Sequence, residues 1–566
     1  MTAARYTVGV DFGTESGRAV LVDVTSGAEI ATAVHRYANG VIVDQLPQPD
    51  GDVRLGADWA LQDPADYVAT LGLTIPRLLA GTGIDPAHVI GLGIDFTSCT
   101  MLPATAEGRA LCQLPEFRRE PHAWVKLWKH HAAQPQADRI NVLARSRQDS
   151  WLALYGGRIS AEWFYAKSLQ ILDEAPHVYR AAERLIEAAD WIVWQLVGKE
   201  TRNACTAGYK AIWSRANGFP PEEFFAGLDP RLASIVDEKM SRTIAPLGSA
   251  AGGISAAAAR LTGLLPGTPV AVANVDAHVS VPAVGVTNPG TMVAVMGTST
   301  CHLVLGSQLA VAEGMCGVVQ DGIIPGLFGY EAGQSAVGDI FAWFTEKAVP
   351  PNLHRLADKE GANLYQVLER GAERVRPGES GLLALDWWNG NRSILVDADL
   401  SGLVLGLTMA SEPAEIYRAL LEATAYGTRT IIESFESAGV HVDSVVACGG
   451  LPEQSSLLMQ IYSDVTQRPI HVAGSSQAPA VGSAMYGAVA AGVAGGGYES
   501  IEEAVLAMAR PHKWTYLPDK DAVAVYDVLF REYRALHDYF GRESDVMKVL
   551  KRIRNEYVTT AATVTS

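Results

Sequence analysis

A hairpin with a Gly-Thr turn, then a helix and a buried strand, occurs twice in this chain. Residues 6–11 are an apolar run leading into Asp11-Phe12-Gly13-Thr14, and a second apolar run follows at 18–24. Two such runs around a polar, glycine-containing turn read as a β-hairpin. A third strand is expected near 29–37, a helix over 63–80 opening on Asp63-Pro64, and a buried strand over 89–96 carrying Asp95 near its end. The order returns later. Apolar runs at 292–296 and 301–305 flank Gly297-Thr298-Ser299-Thr300, a long helix is expected over 412–438, and a strand over 444–448 runs into Gly449-Gly450. A diverged internal duplication predicts two similar α/β lobes, residues 1–285 and 286–566, facing across a cleft that is the natural ligand site.

The region between the repeats, near 115–260, reads as mostly helical and aromatic. Helices are expected over 123–133, with Trp124 and Trp128 one turn apart on one face, and over 161–173 and 180–197. A strand over 269–275 is expected to end at Asp276. Helices are expected over 453–466 and 480–491, loops over 38–60 and 491–497, and a frayed tail over 556–566.

Composition narrows the function classes. The 566 residues suggest two or more domains, and 48% hydrophobic residues suffice for large cores. A formal net charge of -17 without a basic stripe speaks against nucleic acid as a partner. No run approaches the ~20 apolar residues of a membrane span. The six scattered cysteines form no C-x-x-C pair, so reduced thiols and a cytoplasmic location are expected. Asn391-Arg392-Ser393 fits a glycosylation sequon, but nothing marks secretion.

The two turns carry the chemistry. Gly13 and Gly17 let the backbone approach a ligand closely, and the Thr14 and Ser16 hydroxyls can donate to phosphate oxygens. Asp11, at a strand end, can hold Mg²⁺ through water. Gly297, Thr298 and Ser299 form the matching turn, and two opposed turns can clamp a triphosphate. There is no G-x-x-x-x-G-K-[ST], no strand followed by G-x-G-x-x-G, and no His-Arg-Asp loop upstream of Asp11-Phe12-Gly13. P-loop, dinucleotide-binding and protein-kinase readings are therefore not favoured.

Asp11-x-Gly13-Thr14-x-Ser16-x-Arg18 resembles the first phosphate motif of the FGGY carbohydrate kinases. Residues 402–422 fit that family's C-terminal signature without a gap: Gly402-x-Val404-x-Gly406-Leu407, seven residues, then Glu415-Ile416-x-x-Ala419-Leu420-Leu421-Glu422. Cys448-Gly449-Gly450-Leu451 resembles the adenosine motif. The resemblance covers roughly residues 5–495. One departure is Lys167-Ser168-Leu169-Gln170, where the family's other signature has Trp as the fourth residue. Segments 93–100, 128–133, 329–335 and 385–393 are similar to a ketopentose-phosphorylating branch of the family.

The resemblance implies two actin-like ATPase (ribonuclease H-like) domains with the active site between them. It implies that Asp276 is the catalytic base, with ATP and Mg²⁺ as cofactors and L-ribulose as the expected acceptor. An unperturbed Asp, with pKa near ~3.9, would be ionised at neutral pH. Lys210, Glu331 and Ser98 resemble sugar contacts. Asp95 and Trp128 stay open between sugar contact and structural residue, and His278 between alternative base and structural histidine. Gly449, Gly450 and Gln454 are the expected ATP contacts beside Gly13, Thr14, Ser16, Arg18, Gly297, Thr298 and Ser299, with Asp11 at the metal. The small-molecule partners are a ketopentose and Mg-ATP, and a homodimer stays open. The alternatives are another activity of the family, such as D-ribulose or xylulose kinase, and a non-kinase actin-like ATPase. The latter would want a peptide-binding or polymer-forming region, and a sugar-responsive regulator would want a basic helix-turn-helix. Neither feature is present in the sequence.

Overall fold

The computed structural model describes residues 4–564, apart from 48, 50 and 51. Those three belong to the expected 38–60 loop and lie outside the described residues. The hairpin Tyr6–Phe12 and Ser16–Asp23 is antiparallel, Glu29–Arg36 extends it, and Val89–Phe96 lies parallel on the other side. The second lobe repeats this order. Gly290–Met296 and Thr300–Gly306 form the hairpin, Phe328–Gln334 extends it, and Val442–Cys448 lies parallel to its first strand. Among the described residues both sheets have seven strands. The parallel central strands are buried on both faces, which is why they read as continuous apolar runs rather than alternating ones.

Chain order does not fully decide which lobe a helix joins. Ala478–Gly495, from the second half, packs on strands Tyr6–Phe12 and Val89–Phe96 of the first sheet. Glycines on those strands permit the contact. A Cβ on Gly9 would stand 1.7 Å from the Ala480 carbonyl oxygen, and one on Gly93 would stand 1.8 Å from that of Ser483. Among the described residues this is the one helix long and apolar enough to cross a membrane, and it is seated on the sheet.

The region between the repeats departs from expectation. No helix spans 123–133. Val125–Lys126 is instead a short strand of a four-stranded sheet, paired with Leu61–Gln62 and Met101. Trp124 and Trp128 therefore share no helical face. The expected helix over 180–197 is interrupted by strand Arg184–Glu187, whose Leu185 and Ile186 pair with Pro103 and Leu102. Residues 269–275 split into strands Pro269–Ala271 and Asn274–Val275, and Asp276 opens helix Asp276–Ala283. The 453–466 segment breaks at Ser455, whose hydroxyl caps the following helix by accepting from Leu458 N–H at 3.1 Å. The glycine-rich 491–497 segment stays helical to Gly495 with a break at Gly492, and the backbone of the expected frayed tail is helical to Val564.

Candidate active site

Three carboxylates meet at one end of the first sheet. Asp11 pairs with Asp95 across the parallel strands, and Asn274, two residues before Asp276, pairs with Asp95 from the other side. Phe12 and Phe96 follow these aspartates on the opposite face, where their rings stack at 5.0 Å against Tyr67. Burying the aromatic face turns the carboxylates toward the other one. Asp11 faces Arg18, whose Nε lies 3.3 Å from Asp11 Oδ2, and Arg18 donates to Gln477 Oε1 at 3.0 Å. Asp95 is fully buried, accepts from Ser483 Oγ at 2.6 Å and lies within hydrogen-bonding reach of the Asp11 carboxyl.

Burial without full pairing shifts these groups. Burial raises the Asp11 carboxyl even against the Arg18 charge. Burial, reinforced by Asp11, holds Asp95 well above the carboxylate range. Burial and the Asp11 charge push Asp276 up to about 7, although Ala277 N–H donates to its Oδ1 at 2.6 Å. Asp276 is thus only part-ionised at neutral pH, unlike the free side chain assumed from sequence.

The expected phosphate turns are tight and accessible. Gly13 N–H donates to Ser16 O at 3.0 Å, and Gln62 holds the Thr14 carbonyl at 2.7 Å. Trp128 is half-buried and donates from Nε1 to Thr14 Oγ1 at 3.0 Å, which brings it to the first turn. In the second lobe Gly297 N–H donates to Ser299 O at 2.9 Å, and Val337 N–H donates to Thr298 O at 2.8 Å. Gly449 lies against this turn. Its φ is 103°, and a Cβ would stand 2.3 Å from the Met296 carbonyl oxygen. Gly450 opens the short helix Gly450–Gln454, which ends on the exposed Gln454. The positions matching Asp11 and Asp95 are Val295 and Cys448, which pair with each other. At these matched positions the acidic residues belong to the first lobe.

Lys210 and Glu331 join the two lobes. Lys210 ends helix Ala204–Lys210, Glu331 sits on strand Phe328–Gln334, and Nζ lies 3.0 and 2.9 Å from the two carboxylate oxygens. Burial alone would lower the Lys210 pKa and raise that of Glu331, but their mutual attraction outweighs it and holds both ionised. His278 Nε2 lies 3.3 Å from Glu331 Oε2, and its ring tilts against Tyr209 with centroids 4.1 Å apart. Ser98 follows Asp95 in the turn after the strand, with Oγ 3.3 Å from Cys99 Sγ.

Sequence reasoning missed several partners. Ser483 reaches Asp95 from a helix nearly four hundred residues away in the chain, and no local signal marks it. Glu162 accepts from His131 at 2.9 Å and lies 3.6 Å from Arg392 of the other lobe. Both His131 and Arg392 fall inside segments singled out above, so their signal was present but carried no assigned role.

Among the described residues no three His, Cys, Asp or Glu side chains converge to enclose a metal ion. Asp11, at the strand end beside the first turn, suits a cation that keeps most of its waters and takes one or two carboxylates beside substrate phosphates, as Mg²⁺ does.

Two Gly-Thr turns and a group of buried carboxylates at one sheet end are an arrangement suited to phosphoryl transfer. A xylulose kinase from Rhodospirillum rubrum shares the fold with a TM-score of 0.74 at 22% identity, covering 94% of this chain and 98% of that one. A ligand-bound xylulose kinase from Lactobacillus acidophilus gives 0.76 at 17% identity, covering 95% and 99%. Residues 292–491 match the C-terminal domain of the FGGY family of carbohydrate kinases. Ribulokinase from Geobacillus thermodenitrificans is 56% identical over 548 residues, 97% of each chain, and that from Mycolicibacterium smegmatis is 51% identical over 554, covering 98% and 97%. The chain belongs to the FGGY family of carbohydrate kinases.

Proposed function

We propose that this protein transfers the γ-phosphoryl group of ATP to the terminal hydroxyl of L-ribulose, giving L-ribulose 5-phosphate and ADP in L-arabinose catabolism. The observation that carries this reading at the site is Asp276, raised to about 7, beside the Lys210–Glu331 pair that joins the two lobes. The full-length similarity to ribulokinases supports the choice of sugar.

Phosphoryl transfer needs position and charge neutralisation more than covalent chemistry. Ionised Asp276 accepts the proton of the acceptor hydroxyl as the O–P bond forms. A carboxylate with a pKa near the working pH holds that proton better than an ordinary Asp, yet is ionised often enough to take it. Lys210 donates to sugar oxygens and Glu331 accepts from sugar hydroxyls, with Ser98 and Trp128 at the edges of the same cleft. Backbone N–H groups and hydroxyls of residues 13–16 and 297–299 hold the phosphates, and Gly449 and Gly450 admit the adenosine. Mg²⁺ beside Asp11 would supply neutralisation of the phosphate charge. Closure of the lobes excludes water and limits ATP hydrolysis.

The test is coupled ADP release with Mg-ATP and L-ribulose, D-ribulose, L-xylulose, D-xylulose, ribitol or glycerol. Turnover highest with L-ribulose is expected. A preference for another acceptor would keep the kinase and overturn the sugar. Hydrolysis indifferent to sugar would favour a non-kinase ATPase.

A further inference from the structure

We infer that His278 is a positioning residue for sugar recognition, tying the helix that carries Asp276 to Glu331 and so fixing the Lys210–Glu331 pair against the acceptor. The inference rests on the cleft being a ketopentose kinase site.

Helix Asp276–Ala283 has eight residues. Asp276 opens it and His278 is two residues on, so their side chains leave in different directions. His278 is 1% exposed and wedged against the Tyr209 ring. Tyr209 directly precedes Lys210, so His278 touches both the residue beside the lysine and, from 3.3 Å, the carboxylate that the lysine holds. Three elements converge here: the helix of Asp276, the helix of Lys210 and the strand of Glu331 in the other lobe.

The hydrogen bonding of His278 is incomplete. Nδ1 has no hydrogen-bond partner among the described residues, and Nε2 has only the long 3.3 Å contact with Glu331, although both are buried. A buried polar group left this way costs stability, and such groups persist where function uses them. Lys210 already engages both oxygens of Glu331. A carboxylate has about four acceptor sites, so Glu331 can take a further donor beside Lys210 and a sugar hydroxyl, and Nε2–H of a neutral His278 stands a few tenths of an ångström beyond ideal distance from Oε2. Burial lowers the His278 pKa, consistent with a neutral ring that donates one N–H rather than a second buried cation. The same contact sets the distance from Glu331 to the first residue of the helix, Asp276. A shift of about 1 Å there is enough to cost a large fraction of the rate.

The experiment uses the full chain with His278→Leu, which removes the donor at similar volume, and His278→Gln, which keeps an N–H at similar reach. Loss of a hydrogen bond to a charged group predicts that His278→Leu raises KM for L-ribulose about tenfold or more, with KM for ATP unchanged. His278→Gln should restore most of the loss. Adding His278→Leu to Glu331→Gln should change KM for L-ribulose little further, because the two act through one contact. The inference is overturned if His278→Leu matches wild type, if both KM values rise together, if the Gln variant is no better than the Leu variant, or if the double variant is additive. If His278→Leu does not fold, the Gln variant decides: KM for L-ribulose within about threefold of wild type supports the inference, and a rise of about tenfold overturns it. A wild type inactive on L-ribulose sinks the functional reading itself, whereas an active wild type with an indifferent His278→Leu sinks only this inference.

Discussion

Replacing Asp276 with Asn should inactivate the enzyme and stabilise its fold. The carboxyl rises from an ordinary 3.8 to about 7, because burial and the Asp11 charge disfavour the ionised form. Each pKa unit is worth about 1.36 kcal/mol, so the shift sets an upper bound of about 4 kcal/mol. Asp276 is not wholly enclosed, and solvent screening reduces this to about 1–3 kcal/mol. The sign follows from linkage. A group whose folded pKa is raised favours the fold below its unfolded pKa, and that contribution is lost as pH rises through the folded value. The Asn variant is neutral throughout and can keep the bond from Ala277 N–H. Its stability advantage over wild type should therefore be small at pH 4, grow toward pH 7 and level off above it. Urea unfolding at pH 4.5, 6, 7 and 8 measures this directly. An Asn variant no more stable than wild type at pH 8, or one whose gain is equal at pH 4.5 and 8, would refute the electrostatic reasoning.

Three further outcomes follow from the same geometry. The kcat/KM for sugar should fall about tenfold per unit as pH drops below about 7, and a profile flat to pH 5 would contradict Asp276 as base. Glu331→Gln strands the Lys210 cation in the interior. It should cost about 3–5 kcal/mol in denaturant unfolding and raise KM for sugar, and Lys210→Met in the same background should recover part of the stability. Gly449→Ala forces a Cβ toward the Met296 carbonyl at a positive φ, a strain of about 1–3 kcal/mol. It should raise KM for ATP while leaving KM for L-ribulose unchanged, as separate titrations of the two substrates would show.

The duplication was legible because both hairpins place a short glycine turn between apolar runs of strand length, and both recur with a later buried strand. The helix 123–133 was misread because two tryptophans at helical spacing outweighed Val125–Lys126, whose pairing with Leu61–Gln62 is not a local property. Helix 478–495 joining the first sheet was not readable either. It depends on glycines at positions 9, 91 and 93 matching small residues on a helix far along the chain. Asp276 and Lys210 were found through resemblance, but their charge states were not. The Asp276 shift needs burial at the sheet end and then Asp11 beside it, and the Lys210 ionisation needs Glu331 from the other lobe. His278 was visible only as a histidine near a carboxylate, and its contact with Glu331 gives it a role distinct from that of a base.

Asp276 takes the proton of a sugar hydroxyl as ATP delivers its phosphoryl group. The most direct measurement is single-turnover formation of L-ribulose 5-phosphate by wild type and Asp276→Asn, with ATP and L-ribulose binding measured on the same preparations. Both ligands should bind the variant while product formation falls by about a hundredfold or more, the usual contribution of a positioned base. A variant that forms product at close to the wild-type rate would contradict it.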